Sequence, residues 1–145
     1  MKLLVQRVLS AHVEVNQQVV GHIQNGMLVF LGVEKGDTKQ HAEFLANKLT
    51  NLRIFEDDNG KMNLSVKDVH GEILVVSQFT LAADLSRGNR PGFDNAELPE
   101  KANDMYKYFL QLLKNNGITP QTGIFQADMK VHLINDGPCT FWLSK

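Results

Sequence analysis

The amino-acid sequence predicts an α+β domain: a curved, mostly antiparallel β-sheet or barrel with two helices on its outside. Three observations predict it. The N-terminal third alternates apolar and polar residues with a period of two. The tail returns to that pattern. Between them, two stretches repeat apolar residues at helical spacing.

His12-Val13-Glu14-Val15-Asn16 alternates as a half-buried strand should. Asn16-Gln17-Gln18 reads as a turn, and Val19–Ile23 as the returning strand. Asn25-Gly26 is the strongest two-residue hairpin signal in the chain. Met27–Leu31 follows as a buried strand. Asp37 suits a helix N-cap, and Gln40 lies three residues on, at capping-box spacing. Ala42, Leu45, Leu49 and Leu52 make the apolar stripe of this first helix. Arg53-Ile54-Phe55 is a short strand closed by the turn Asp57–Gly60. Ile73–Val76 is apolar on both faces and reads as a central strand. Residues 83–97 show no periodicity, and LSRGNRPG at 85–92 is a polar loop. Pro99 suits the first turn of a second helix, with Ala102, Met105, Phe109, Leu112 and Leu113 as its stripe. Asn115-Asn116-Gly117 ends that helix. Two strands are expected in the tail, Lys130–Ile134 and Thr140–Leu143, with Asn135–Pro138 as a turn between them.

A chain of 145 residues, 43% hydrophobic and 21% charged, suffices for one domain, 1–145, with a real core. Its net charge of −1 disfavours a wide grip on nucleic-acid phosphates, yet permits a small contact with one RNA end. The single cysteine, Cys139, precludes an intrachain disulfide and fits a reducing, cytoplasmic setting. No apolar run is long enough for a membrane helix, so no membrane partner is expected. MKLLVQRVLSAHVEV is unlike a signal peptide, since Gln6 and Arg7 break its apolar run.

Most familiar chemistry is absent: there is no GxSxG elbow, P-loop or GxGxxG. The histidines at 12, 22, 41, 70 and 132 never pair at helical spacing, and Glu56–Gly60 lacks the ligand spacing of a calcium loop. No metal and no cofactor are therefore expected. Cys139 could act as a nucleophile with His132, but nothing nearby would lower its pKa, so a small buried side chain is the plainer reading.

Two stretches stand out. Ser77-Gln78-Phe79-Thr80 puts three polar side chains at the end of a buried strand, where they must find partners or face a cavity. The bland alternative is that Ser77 and Thr80 satisfy local backbone groups. Asn135-Asp136-Gly137-Pro138 reads by composition as a simple turn.

Ser-Gln-Phe-Thr-Leu-Ala-Ala-Asp at 77–84 and Asn-Asp-Gly-Pro-Cys-Thr-Phe-Trp-Leu at 135–143 resemble the two signature motifs of D-aminoacyl-tRNA deacylase, the bacterial and eukaryotic type. Supporting matches span nearly the whole chain, among them Gln6-Arg7-Val8, Arg90-Pro91 and Gln121-Thr122-Gly123. Gly92 and Cys139 depart from the family, which usually carries Ser and Val there.

The resemblance implies a homodimer. It implies that Gly137-Pro138 is cis and enters the other subunit's pocket. The substrate would be the terminal adenosine of tRNA esterified with an amino acid, hydrolysed without cofactor. The Gly137 and Pro138 carbonyls would accept from the substrate's ammonium and exclude an L side chain, while glycyl esters, including glycine mischarged on alanine tRNA, would pass. Backbone N–H groups near Phe79 and Thr80 would hold the oxyanion, with Ser77 and Gln78 beside them and Gln78 on the adenosine. Thr80 as a nucleophile is a second possibility, with no base near it in sequence. Phe125 and Met129 would line the pocket, Arg7 would brace the Gly-Pro segment, and Arg87 and Arg90 would touch RNA phosphates. The competing readings are a binding module without turnover, a structural protein with residues 77–80 buried and a trans Gly-Pro bond, and an editing hydrolase acting mainly on glycyl-tRNA.

Overall fold

The computed structural model describes residues 1–145. Its organising element is β1 (Lys2–Val15), a strand of 14 residues. One edge of β1 pairs antiparallel with β8 (Lys130–Ser144) along almost its whole length. The other edge is shared: Lys2–Val8 pair antiparallel with β3 (Gly26–Gly32), and Ala11–Val15 with β2 (Gln18–Ile23). A strand that serves two neighbours on one edge must bend, and so the sheet curls.

The β1–β2 hairpin turns at Asn16 and Gln17, with φ of 50° and 64°. Those positive values are what a two-residue turn compatible with strand twist requires. Asn25-Gly26, the expected hairpin, is not one: β2 and β3 both flank β1 and do not pair. Gly26 is needed for another reason. It sits beside β6 (Glu72–Ser77), and a Cβ there would lie 1.9 Å from the Glu72 carbonyl oxygen. β6 pairs with β3 in parallel, and β7 (Gln121–Thr122) with β6 in parallel. The sheet is thus mostly antiparallel with a parallel flank. It nearly closes where β2 meets β7: a Cβ on Gly21 would come 2.2 Å from the Thr122 carbonyl oxygen. A two-stranded ribbon, β4 (Phe55–Glu56) and β5 (Met62–Leu64), lies beside this sheet in the chain. The Asp57 carboxylate fixes its turn by accepting the N–H groups of Asn59 and Lys61.

Both helices form as the periodicity predicts. α1 (Lys39–Thr50) buries Ala42, Leu45 and Leu49, while Leu52 lies past its end. α2 (Pro99–Asn115) buries Ala102, Phe109 and Leu113, and also Tyr106; Met105 and Leu112 are only half-buried. The two stripes cover Leu3, Val5, Val29, Ile73 and Val75 on the outer face of the sheet. A second, smaller core fills the curled side, where Val8, Val13, Leu28, Leu74 and Val76 meet.

Asp37 does not cap α1. Thr38 holds the N-cap position without a side-chain bond. The Asp37 carboxylate instead accepts from the Met1 amino group and the Glu34 N–H, and contacts the His41 ring. A buried ammonium outcompetes a cap because its unpaired cost is larger. The tail also differs from expectation. β8 runs through residues 130–144 as one strand, interrupted by a bulge rather than divided by a turn.

Candidate active site

The strand-end motif lies where β6 leaves the sheet. The Gln78 N–H still donates to Leu31 O at 2.7 Å, and Phe79–Ala82 then form one turn of 3₁₀ helix. Gly32 makes room for this turn, since a Cβ on it would meet Leu81 Cβ at 2.9 Å. The first N–H groups of such a turn have no partner inside it, and no side chain caps it. The N–H groups of Phe79 and Thr80 are thus free to meet a ligand.

The hydroxyls around it do not fasten the local backbone. Neither the Ser77 nor the Thr80 hydroxyl bonds a backbone group. Thr80 Oγ1 accepts a hydrogen bond from Gln78 Nε2. Phe79 is 58% exposed; Thr80 is exposed, and Ser77 and Gln78 are half-buried. The bland reading of this motif, and the buried 77–80 segment of a structural protein, are both set aside.

A cleft of about 1090 Å³ opens beside this turn. Ser77, Gln78 and Phe79 line it together with Phe125 and Met129, and Leu31, Val33, Val76 and Tyr106 add apolar wall. Phe125 packs against Tyr106, ring centroids 5.9 Å apart. The Tyr106 hydroxyl donates to Val75 O at 2.8 Å. Burial holds its pKa well above the ordinary phenol value, so it stays a neutral wall residue. Five expected site residues therefore converge on one cleft. Thr80 lies beside it on the same turn, outside the lining.

The other expected residues form a separate structure. Gln6 pairs with Thr140 and Val8 with Asn135, so Arg7 alone faces Asp136–Cys139, and that segment bulges from β8. Gly137-Pro138, a cis peptide, is at its tip and both residues are exposed. Arg7 is 4% exposed, not a solvated strand-edge charge. Its Nη1 donates to Ile54 O at 2.7 Å, and its Nε lies 2.8 Å from Asp136 Oδ2. Glu56 is further off, at 3.7 Å. Arg7 thus meets this segment through the carboxylate next to Gly137, not through the Gly137 or Pro138 carbonyls. The Asn135 side-chain amide closes the bulge by donating to Arg7 O at 3.0 Å and Cys139 O at 3.2 Å. By composition Asn135 and Asp136 mark a turn; only the pairing register turns them toward Arg7.

The two departures from the family pattern are structurally mild. A Cβ on Gly92 would find its nearest neighbour at 3.8 Å, so a side chain fits there. Cys139 is fully buried, and burial pushes its thiol pKa up. That is the environment of an inert core residue, not a nucleophile. No cluster of three or more His, Cys, Asp or Glu side chains could hold a metal ion. No helix is long and apolar enough to cross a membrane.

A family model described as D-Tyr-tRNA(Tyr) deacylase matches residues 4–144. The chain belongs to that family. Relatives called D-aminoacyl-tRNA deacylase agree with the assignment. The one from Geobacter sulfurreducens is 58% identical over 143 residues, covering 99% of this chain and 94% of that protein. The one from Geotalea daltonii is 59% identical, with coverage of 99% and 95%. A solved structure described as c-Myc DNA Unwinding Element Binding Protein superposes with a TM-score of 0.96 at 41% identity, covering 100% of this chain and 99% of that one. A probable eukaryotic D-amino acid tRNA deacylase shares the fold, with a TM-score of 0.85 at 15% identity over 99% and 98% of the two chains. Members of this family are hydrolases that remove the acyl group from tRNA, and this chain is an enzyme of that kind.

Proposed function

We propose that the chain hydrolyses the ester of a D-amino acid with the terminal adenosine of tRNA, and of glycine mischarged on alanine tRNA, as a homodimer of 1–145 domains in the cytoplasm. Each Gly137-Pro138 segment enters the partner's cleft. The observation that carries this is a separation. Gly137-Pro138 is braced and exposed, yet it lines no part of the cleft that gathers Ser77, Gln78, Phe79, Phe125 and Met129. A second copy supplies what one chain leaves apart. The sheet face opposite the helices supports this pairing. Phe30, Leu4 and Trp142 are cross-strand neighbours there, and Trp142 is still 50% exposed. Such an apolar row beside the bulge suits a covering subunit.

In the assembled site, the Gly137 and Pro138 carbonyls accept from the substrate ammonium. The α-hydrogen of a D-residue faces this main chain and its side chain points away. An L-residue would drive its side chain into the bulge that Arg7 and Asp136 hold. Rejecting it ~1,000-fold needs about 4 kcal/mol, within reach of a clash plus a misplaced ammonium. Glycine has no Cβ and passes. Chirality is enforced by exclusion.

Water attacks the ester carbonyl, and the Phe79 and Thr80 N–H groups receive the developing oxyanion. The C–O bond to the ribose breaks, and the neighbouring 2′-hydroxyl assists as the ribose oxygen regains a proton. Thr80 as the nucleophile is the second reading: its oxygen accepts a hydrogen bond from the Gln78 amide, which cannot serve as the base.

The test is hydrolysis of D-tyrosyl-, L-tyrosyl- and glycyl-tRNA at one low enzyme concentration without added metal. The expected result is loss of the D and glycyl esters with the L ester intact. Equal loss of D and L esters removes the Gly137-Pro138 filter. Loss of none leaves a binding module, and loss of glycyl-tRNA alone an enzyme specialised for glycine.

A further inference from the structure

Phe79 and Phe93 form an aromatic pair that the proposed chemistry leaves unused. Their centroids are 5.1 Å apart with the planes tilted by 58°, an arrangement in which each ring fixes the other's orientation. Both line the cleft, yet they stay 58% and 40% exposed. They therefore stand at its mouth rather than its floor. Large aromatic rings held in water in this way are costly unless something covers them.

The backbone around Phe93 is firmly set. Just before it, Gly92 and Asp84 exchange two hydrogen bonds of 2.8 and 3.0 Å. Just after it, the Lys35 N–H donates to Asn95 O at 2.9 Å and the Ala96 N–H to Phe93 O at 3.0 Å. The ring is preorganised, although its segment has no regular secondary structure. The loop enclosed by the Asp84–Gly92 pair carries Arg87 and Arg90. Both are exposed, and neither guanidinium has an intrachain partner.

An open aromatic face, with exposed guanidinium groups in the loop just before it in the chain, has the chemistry that holds single-stranded RNA: a base stacks on the ring and a phosphate meets the cation. A terminal adenosine seated in the cleft is tethered to the rest of its strand, and the strand must leave through the mouth.

We propose that Phe93, braced by Phe79, is the stacking platform for the nucleotide preceding the terminal adenosine, with Arg87 and Arg90 facing the phosphates of that strand. This rests on the reading that the terminal adenosine occupies the cleft. It makes the enzyme sensitive to RNA beyond the reacting ester while reading no base edge, so recognition there is tolerant of sequence.

The test compares wild type with Phe93→Ala, Phe93→Leu and Phe93→Trp. One readout is kcat/KM on D-tyrosyl-tRNA and on the D-tyrosyl ester of adenosine alone. Phe93→Ala is expected to lose about 5- to 150-fold on tRNA, the factor equivalent to ~1–3 kcal/mol of base–aromatic stacking. The loss on the small ester should be at least fivefold smaller, and Phe93→Trp should restore the tRNA rate. A second readout needs no hydrolysis: emission of pyrrolocytidine placed next to the terminal adenosine of an uncharged tRNA. Wild type and Phe93→Trp should quench it, and Phe93→Leu, which keeps bulk without a π-face, should not. Equal losses on both substrates, quenching that persists in Phe93→Leu, or no quenching by wild type overturns the proposal. Dissociation of Phe93→Ala to monomers in sedimentation also overturns it, by showing that a second copy covers the ring. If wild type hydrolyses neither ester, the deacylase reading fails, and the fluorescence still decides the stacking.

Discussion

The Arg7–Asp136 contact gives the sharpest test of how the bulge is held. The Nε–Oδ2 separation of 2.8 Å corresponds to a gross attraction of about 6 kcal/mol at an effective dielectric constant of ~20. Two features lower the net value. The Asp136 side chain is 36% exposed, so water screens it. Burying the guanidinium has its own desolvation cost. Exposed pairs contribute below ~1 kcal/mol and broken buried pairs cost ~3–5 kcal/mol. A half-exposed pair falls between, at about 2 kcal/mol for Asp136→Asn. For a domain of this length that is a drop in Tm of about 4–8 °C. Arg7→Met should cost a similar amount, and also leaves Ile54 O without its donor. If the two groups act on each other, the double variant loses at least ~1 kcal/mol less than the sum of the singles. Chemical denaturation of all four proteins measures the cycle. The same single variants should hydrolyse L-tyrosyl-tRNA faster relative to D-tyrosyl-tRNA, because a loosened bulge yields to an L side chain. Additive stabilities within ~0.5 kcal/mol, or unchanged chiral discrimination in both singles, would refute the brace.

Gly137→Ala should fold with nearly wild-type Tm, since its Cβ would meet only Asn135 Oδ1, at 3.5 Å. Its methyl, set on the surface proposed to face the substrate, should slow D-tyrosyl-tRNA deacylation at least ~10-fold; a wild-type single-turnover rate would move the filter elsewhere. Thr80→Ala should keep its single-turnover rate within ~10-fold of wild type, whereas abolished turnover with retained tRNA binding would make Thr80 the nucleophile. Native Cys139 should resist iodoacetamide at pH 8 and react once unfolded, because burial raises its thiol pKa; mass spectrometry reads both states. The N–H groups of Lys61, first, and Asn59 hold the Asp57 carboxyl below its ordinary value. Stabilisation from this turn is therefore present above the ordinary carboxylate pKa and is lost as pH falls through the lowered folded value. Urea midpoints between pH 6 and 3 should fall less steeply in Asp57→Asn, and parallel curves would contradict the assignment.

Much of this protein is legible locally. The 3.6-residue stripes of α1 and α2 and the Asp57–Gly60 turn are encoded by neighbours in sequence, and they form where expected. Of the site, Ser77, Gln78 and Phe79 could be named from one motif, and Phe125 and Met129 from the wider resemblance, and one cleft gathers them. What failed were statements about partners. Asn25-Gly26 carries a hairpin composition, but β3 takes β1 and β6 as neighbours. Asp37 has a cap's identity and spacing, but a distant amino group claims its carboxylate. Residues 135–138 look like a turn between two strands and are a bulge on one strand.

The sequence by itself determined the apolar periods, the turn chemistry and the identity of the reactive motifs, because these are properties of adjacent residues. Only the tertiary structure decided that Arg7 would be buried against Asp136, that Gly137-Pro138 would stand apart from its cleft, and that Phe79 and Phe93 would meet at the mouth. Each of these depends on register between residues far apart in the chain. Register is settled by burying two cores and pairing long-range backbone groups at once, which no local pattern encodes.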